Sequence, residues 1–219
     1  MHKDLFPVLS FLLIILLFGC KPNMDGFELK EGDLLFSVGT EGSDFISAIQ
    51  NSTSDDLEVP YSHVGIVSIE GDKVSVIEAK PGDGVVVSTL ADFFRDAASA
   101  DNKTYIAVGR LIPELQYTIP NAIESALQNL RKEYDFLYDE GNDSFYCSEL
   151  VRFSFVDSAG NYIFEPLSMS FKNKETGEID SFWTELFKQH NLPVPEGEPG
   201  TNPADMAKSD RIEIVHTYF

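Results

Sequence analysis

The sequence predicts an α+β fold with a mostly antiparallel sheet packed against helices. Residues 63–79, HVGIVSIEGDKVSVIEA, set two β-branched runs on either side of EGDK, the signature of a hairpin. Two further strand-like runs, GVVVSTL and TYIAVGRL, flank only a short helical piece around LADFFRDA. Residues 120–136 carry apolar side chains at 123, 126, 127, 130 and 134, a helical period.

In chain order, GDLLFSVG (32–39) reads as a first strand. SDFISAIQNS (43–52) reads as a helix capped by Ser43, with Phe45, Ile46 and Ile49 on one side. The hairpin and its two following strands come next. In the helix over 120–136, Pro120 falls in the first turn, where its missing N–H costs nothing. Another helix starts near Tyr146, with Asp143 or Ser144 as its cap, and stops by Gly160. A looped region containing SFWTELFKQ follows, then the Pro- and Gly-rich LPVPEGEPGTNPAD, and DRIEIVHTYF closes the chain as a strand. No internal repeat and no second domain emerge.

The first residues set the destination. A short polar start with Lys3 leads into an apolar run from Leu5 to Phe18, shorter than the roughly 20 residues a spanning helix needs. It ends in LFGC and resembles the lipobox of bacterial lipoproteins, with Phe18 bulkier than the usual occupant. The expectation is a signal peptide over 1–19, a lipidated Cys20, a tether over 20–30 and a single folded domain over 31–219. Placement at a membrane follows from that anchor, with the periplasmic face of the outer membrane favoured. At about 3.3–3.6 Å per extended residue, the tether holds the domain within a few nanometres of the bilayer.

The formal charge of −20 argues against a nucleic-acid partner and against docking on anionic lipid through a basic patch. With Cys20 acylated, Cys147 has no partner for a disulfide. An unpaired thiol in an exported protein is either buried or used.

The hairpin geometry bears on that thiol. If Gly71 and Asp72 form the loop, Glu70 faces Lys73, Gly65 faces Glu78, and His63, Gly65 and Glu78 project from one face. His63 and Glu78 are then diagonal neighbours, with Gly65 leaving room for the imidazole. A loop moved back by one residue keeps them on one face, whereas a three-residue loop separates them. A carboxylate on one imidazole nitrogen frees the other to take a proton from a thiol. Cys147 falls in the first turn of the helix placed at about 145–158, where unpaired N–H groups favour an anion and offer an oxyanion site. Singly, each residue has an ordinary reading. Cys147 can be a small core residue, His63 a surface or hydrogen-bonded histidine, and Glu78 a solvated partner of Lys80. Their conjunction is more specific than any one of them.

GDLLF, YSHVGIV, VIEA, YDFLY and FYCSELV together resemble the permuted papain-like cysteine hydrolases of the YaeF/YiiX group, within the wider NlpC-type class of bacterial cell-wall peptidases. The resemblance covers most of 28 to 216 and is weakest between Phe164 and Gly200. It implies a circularly permuted papain-like fold with Cys147 as nucleophile, His63 as general base and Glu78 as the orienting residue. It implies supporting roles for Tyr146, Ser148 and Glu149, and places Tyr146, Tyr134 and Asp135 at the substrate cleft. The implied substrate is an amide of the cell envelope, peptidoglycan stem peptides first. An acyl ester or N-acyl lipid is the alternative, for which Phe145 and Phe153 are suitably apolar neighbours, and a non-catalytic envelope-binding lipoprotein is a third reading. No cofactor is called for. His190 and His216 lack metal-ligand spacing, and no glycine pattern suits a phosphate loop. The aromatics of DSFWTELF read as core, and STSDDLE as a solvated loop.

Overall fold

The hairpin at the centre of the sheet has the register that a Gly71–Asp72 loop dictates. Glu70 pairs with Lys73 and Ile66 with Ile77, and Gly71 adopts a φ of +61° that a side chain would resist. The computed structural model describes residues 26–38, 44–52, 59–97 and 104–218. The expected signal peptide, Cys20 and the expected Ser43 cap lie outside them, as do the beginning of the expected tether and nearly all of STSDDLE.

In chain order the elements are β1 (Leu34–Ser37), α1 (Asp44–Ser52), β2 (His63–Glu70), β3 (Lys73–Lys80), β4 (Gly84–Thr89), α2 (Leu90–Asp96) and β5 (Ile106–Leu111). A 3-10 turn over Pro113–Thr118 leads into α3 (Ile119–Gln128). Then come α4 (Cys147–Ser154), β6 (Leu167–Ser168), α5 (Ser181–Gln189), β7 (Pro199–Gly200), α6 (Pro203–Met206) and β8 (Ile212–Tyr218). Six strands form one sheet in the order β4-β3-β2-β1-β5-β8, with antiparallel neighbours throughout. β6 and β7 make a separate two-stranded ribbon.

Both faces of the sheet are covered, so its strands are apolar at successive positions rather than at alternate ones. Leu34, Phe36, Val64, Ile66, Ile77 and Ala79 join α1, α3, α4 and α5 in one cluster. Their neighbours Leu35, Val67 and Val76 turn to the other side, where Leu90, Phe93 and Phe94 of α2 close a second cluster. Leu150 and Val151 of α4 are almost wholly buried in the first cluster, each contributing about 1.5–3 kcal/mol to holding that helix in place. Among the described residues no helix is long and apolar enough to cross a membrane.

Two elements differ from expectation. The helix over 120–136 ends at Gln128, although its apolar period continues to Leu130 and Tyr134. Arg131 takes a φ of +72° and donates its N–H to the Val85 carbonyl, while Val85 N–H donates to Lys132 O, both at 2.9 Å. Pairing with the exposed edge of β4 outcompetes further helix. SFWTELFKQ, expected in a loop, is the body of α5. Asp180 caps it by accepting the Phe182 N–H, and Trp183 and Phe187 are buried.

Candidate active site

The segment that follows the β4 clasp places the thiol. Glu133 to Asp135 runs alongside Phe145, with Phe145 N–H donating to Glu133 O (3.0 Å) and Asp135 N–H to Phe145 O (3.1 Å). The Asp135 carboxylate accepts the N–H groups of Leu137 (2.8 Å) and Asp139 (2.7 Å), shaping the turn that returns the chain. Beyond Phe145 the backbone stays extended at Tyr146, the N-cap, and becomes helical at Cys147. Neither Asp143 nor Ser144 is the cap. Asp143 instead pairs with Lys132 at 2.6 Å, and Ser144 N–H bonds Asn142 Oδ1. The helix start is held from within, because Glu149 Oε2 accepts the Tyr146 N–H at 3.1 Å, the reach-back half of a capping box.

Glu149 is 1 % exposed. Burial, assisted by the charges of Asp135 and Glu140, pushes its carboxyl up to about 8 against the opposing Tyr146 hydrogen bond and the Arg152 charge. The family resemblance implies only a supporting role for Glu149. Its capping role could have been found as the acidic residue three positions after an N-cap, had that cap been placed at Tyr146.

Facing the helix start, His63 opens β2. Its Nε2 lies 2.6 Å from Glu78 Oε2 across the hairpin, which leaves Nδ1 for the Cys147 thiol, itself within hydrogen-bonding reach. Gly65 stands between the pair. A Cβ there would sit 3.3 Å from Glu78 Cβ and 3.2 Å from Phe93, besides colliding with Val76. Phe93 packs on the imidazole with ring centroids 5.7 Å apart. Glu78 is 2 % exposed, and Lys80 is engaged by Asp96 at 2.5 Å, so Glu78 is not a solvated residue on a lysine. Burial alone would lower the His63 pKa. Hydrogen bonds to Cys147 and Glu78, with the charges of both, override it and raise the value to about 10.

Cys147 and His63 open onto different spaces. Cys147 lines a cavity of about 260 Å³ with Tyr134, Tyr138, Tyr146, Phe171 and Trp183. His63 and Glu78 line a smaller one of about 50 Å³, with Lys80, Asp96 and Phe93. Ile49, Ser62 and Tyr134 border both. Of the residues expected at the cleft, Tyr134 and Tyr146 are there, with Tyr146 OH accepting the Thr201 N–H at 3.2 Å. Burial raises both phenols above the usual tyrosine range, so they stay neutral. Asp135 does not line either space; its carboxylate serves the 135–139 turn. Phe145 and Phe153 lie outside as well, stacked edge to face on one another. Trp183 is both core and cavity wall.

An antiparallel sheet with a His–Glu pair at one end, against a helix whose first residue offers a thiol to that imidazole, is the arrangement of a papain-like cysteine hydrolase. Here the cysteine follows the histidine in the chain. The chain belongs to the permuted papain-like amidase family, YaeF/YiiX or C92, whose pattern matches residues 28–216. Among solved structures it is similar in fold to the metalloprotein YiiX from Escherichia coli O157:H7, with a TM-score of 0.69 and 22% identity over 87% of this chain and 98% of that one. No curated protein matches. Among the described residues of this chain, no three His, Cys, Asp or Glu side chains gather into a metal-ligating group.

Proposed function

We infer that the protein is a cysteine amidase tethered to the cell envelope through Cys20, with Cys147, His63 and Glu78 as its catalytic residues. The reading rests chiefly on one observation: His63 lies between a buried carboxylate and a thiol at a helix start. Glu78 holds the imidazole on Nε2, so Nδ1 exchanges the proton with sulfur. The thiolate attacks the amide carbonyl, forming a C–S bond. Amide N–H groups at the start of α4 meet the developing oxyanion, as does Ser148 Oγ, which is buried with no hydrogen-bond partner. His63 then protonates the departing amine as the C–N bond breaks. Water, deprotonated by His63, cleaves the thioester to release the acid and restore the thiol. The substrate is an amide of the envelope, and peptidoglycan stem peptides are the first to try.

The test is labelling with a thiol-directed activity probe. Wild type should label rapidly when native and slowly when unfolded, Cys147→Ala not at all, and His63→Ala at the slow rate. Equal labelling of native and unfolded wild type would show an unactivated thiol and end this reading.

A further inference from the structure

Around the start of α4 lies a group of ionisable side chains that the proposed reaction leaves without a role. Glu149, Asp135 and Arg152 are buried, and Glu140 joins them by accepting the Arg152 Nη1–H on Oε2 at 2.8 Å. The Arg152 guanidinium lies over the Phe153 and Tyr162 rings, 5.1 and 4.5 Å from their centroids. Asp135 is occupied by the N–H groups of Leu137 and Asp139. Among the described residues no lysine or arginine is bonded to Glu149, whose carboxyl instead accepts the Tyr146 N–H. A buried carboxyl with two carboxylates near it and the nearest cation held elsewhere retains its proton, in keeping with a value pushed up to about 8.

That acid governs the residue immediately before the nucleophile. Tyr146 is extended and Cys147 is helical, so the bond from Tyr146 N–H to Glu149 fixes where the chain turns and where the sulfur projects. Uncharged, Glu149 does this without opposing an anion on sulfur. Ionised, it sets a buried negative charge two residues from Cys147, against the helix-start N–H groups that favour a thiolate. The other charged groups facing this helix cannot neutralise it. From β2 and β3 come His63 and Glu78, already bonded to each other at 2.6 Å. From α6 comes Asp205, engaged by Asn202 at 2.6 Å and by Lys208 at 3.8 Å. The buried side chains of α3 are the apolar Ala122, Ile123 and Ala126.

With Cys147 as the nucleophile of the proposed reaction, we propose that Glu149 is a positioning residue: as an uncharged acid it holds Tyr146 and presents the thiolate, and on releasing its proton to solvent it suppresses that thiolate. Glu140 and Arg152 set the pH at which the change occurs. The resulting loss of reactivity centres near pH 8, below the range in which His63 titrates.

Alkylation of Cys147 by iodoacetamide from pH 6 to pH 9.5, followed by mass spectrometry, tests this. The wild-type rate should fall about tenfold on passing pH 8, where an ordinary thiol gains reactivity. Glu149→Gln keeps an acceptor for the Tyr146 N–H but has no proton to lose, so its profile should lack the fall. Glu140→Gln removes a neighbouring carboxylate and leaves Arg152 free to attract charge onto Glu149. Its fall should therefore move to lower pH, a shift that a purely structural cap would not produce. Iodoacetate, itself an anion, should show a steeper fall than iodoacetamide in the wild type. A single profile shared by wild type and Glu149→Gln, or a fall unmoved in Glu140→Gln, would overturn this role while leaving the nucleophile in place. If native and unfolded wild type react alike throughout, the catalytic reading has failed and Glu149 has no nucleophile to position.

Discussion

His63 Nε2 and Glu78 Oε2 stand 2.6 Å apart although fifteen residues separate them in the chain, because the hairpin register makes them diagonal neighbours with Gly65 between. In the proposed mechanism the carboxylate fixes which nitrogen faces the sulfur and supports the imidazolium. Glu78→Gln keeps the volume but removes the charge, so it should lower kcat/KM by about 10²–10⁴-fold with little change in Tm. Activity within twofold of wild type would leave Glu78 without an orienting role.

The raised pKa of His63 sets a pH dependence. In the proposed mechanism leaving-group protonation needs the imidazolium, so turnover should fall as pH rises through about 10, and an active His63→Ala remnant should lack that limb. Stability follows the same sign. The folded value lies above the ordinary 6.5, so the stabilisation is fully present below pH 6.5 and is lost as pH climbs towards about 10. A turnover profile flat from pH 8 to 11 would contradict this.

Glu149 adds a second loss of stability with rising pH, in a lower range. Its folded pKa is raised from 4.5 to about 8, so its protonated form is favoured in the folded state, and the resulting stabilisation declines as pH rises from about 4.5 through about 8. Glu149→Gln retains an acceptor for the Tyr146 N–H and has no charge to bury. Urea midpoints should therefore show the variant gaining on wild type as pH rises from about 4.5 to about 8, with a constant advantage above that. Glu149→Ala, which loses the cap, should lose about 0.5–2 kcal/mol near neutrality. Parallel pH profiles for wild type and Glu149→Gln would remove the titration from this account.

The proposed anchor separates from the chemistry. Cys20→Ser should leave the protein in the soluble fraction of cells fed a clickable fatty acid, unlabelled, while the purified domain still reacts at Cys147. Fatty-acid label retained in Cys20→Ser would place the lipid elsewhere.

What could be read from the sequence divides by range. His63, Gly65 and Glu78 were legible together because a two-residue loop and a period of two determine pairing within one hairpin. Cys147 at a helix start was legible because the start of a helix is a local event. The end of α3 was not: the Leu130 and Tyr134 period favours helix locally, and only the distant Val85 edge overrides it. The cavity wall was hidden for a similar reason. SFWTELFKQ stands beside a Pro- and Gly-rich stretch that reads as loop, although Asp180 and the 182, 183, 186, 187 spacing mark a helix. The convergence of Glu149, Asp135 and Glu140 involves separate turns of chain and has no local signature.

Gly84 ties these ranges together and supplies the sharpest structural test. It sits at φ +71°, and a Cβ there would overlap the Lys132 carbonyl oxygen that accepts the Val85 N–H. That hydrogen bond ends α3 and starts the path through Tyr134 to the thiol. Gly84→Ala therefore combines an unfavourable φ with a backbone collision and should cost about 1–3 kcal/mol. Loosening should pass along the chain to residues 131–135. Hydrogen exchange at the Arg131 and Val85 amides should accelerate, and labelling of Cys147 should slow even under conditions where the variant remains folded. Gly71→Ala makes the comparison, since Gly71 also has a positive φ but a Cβ there meets nothing within 4 Å. It should lose stability through its own turn while labelling at the wild-type rate. If the two variants slow labelling equally, the β4 clasp does not position the site.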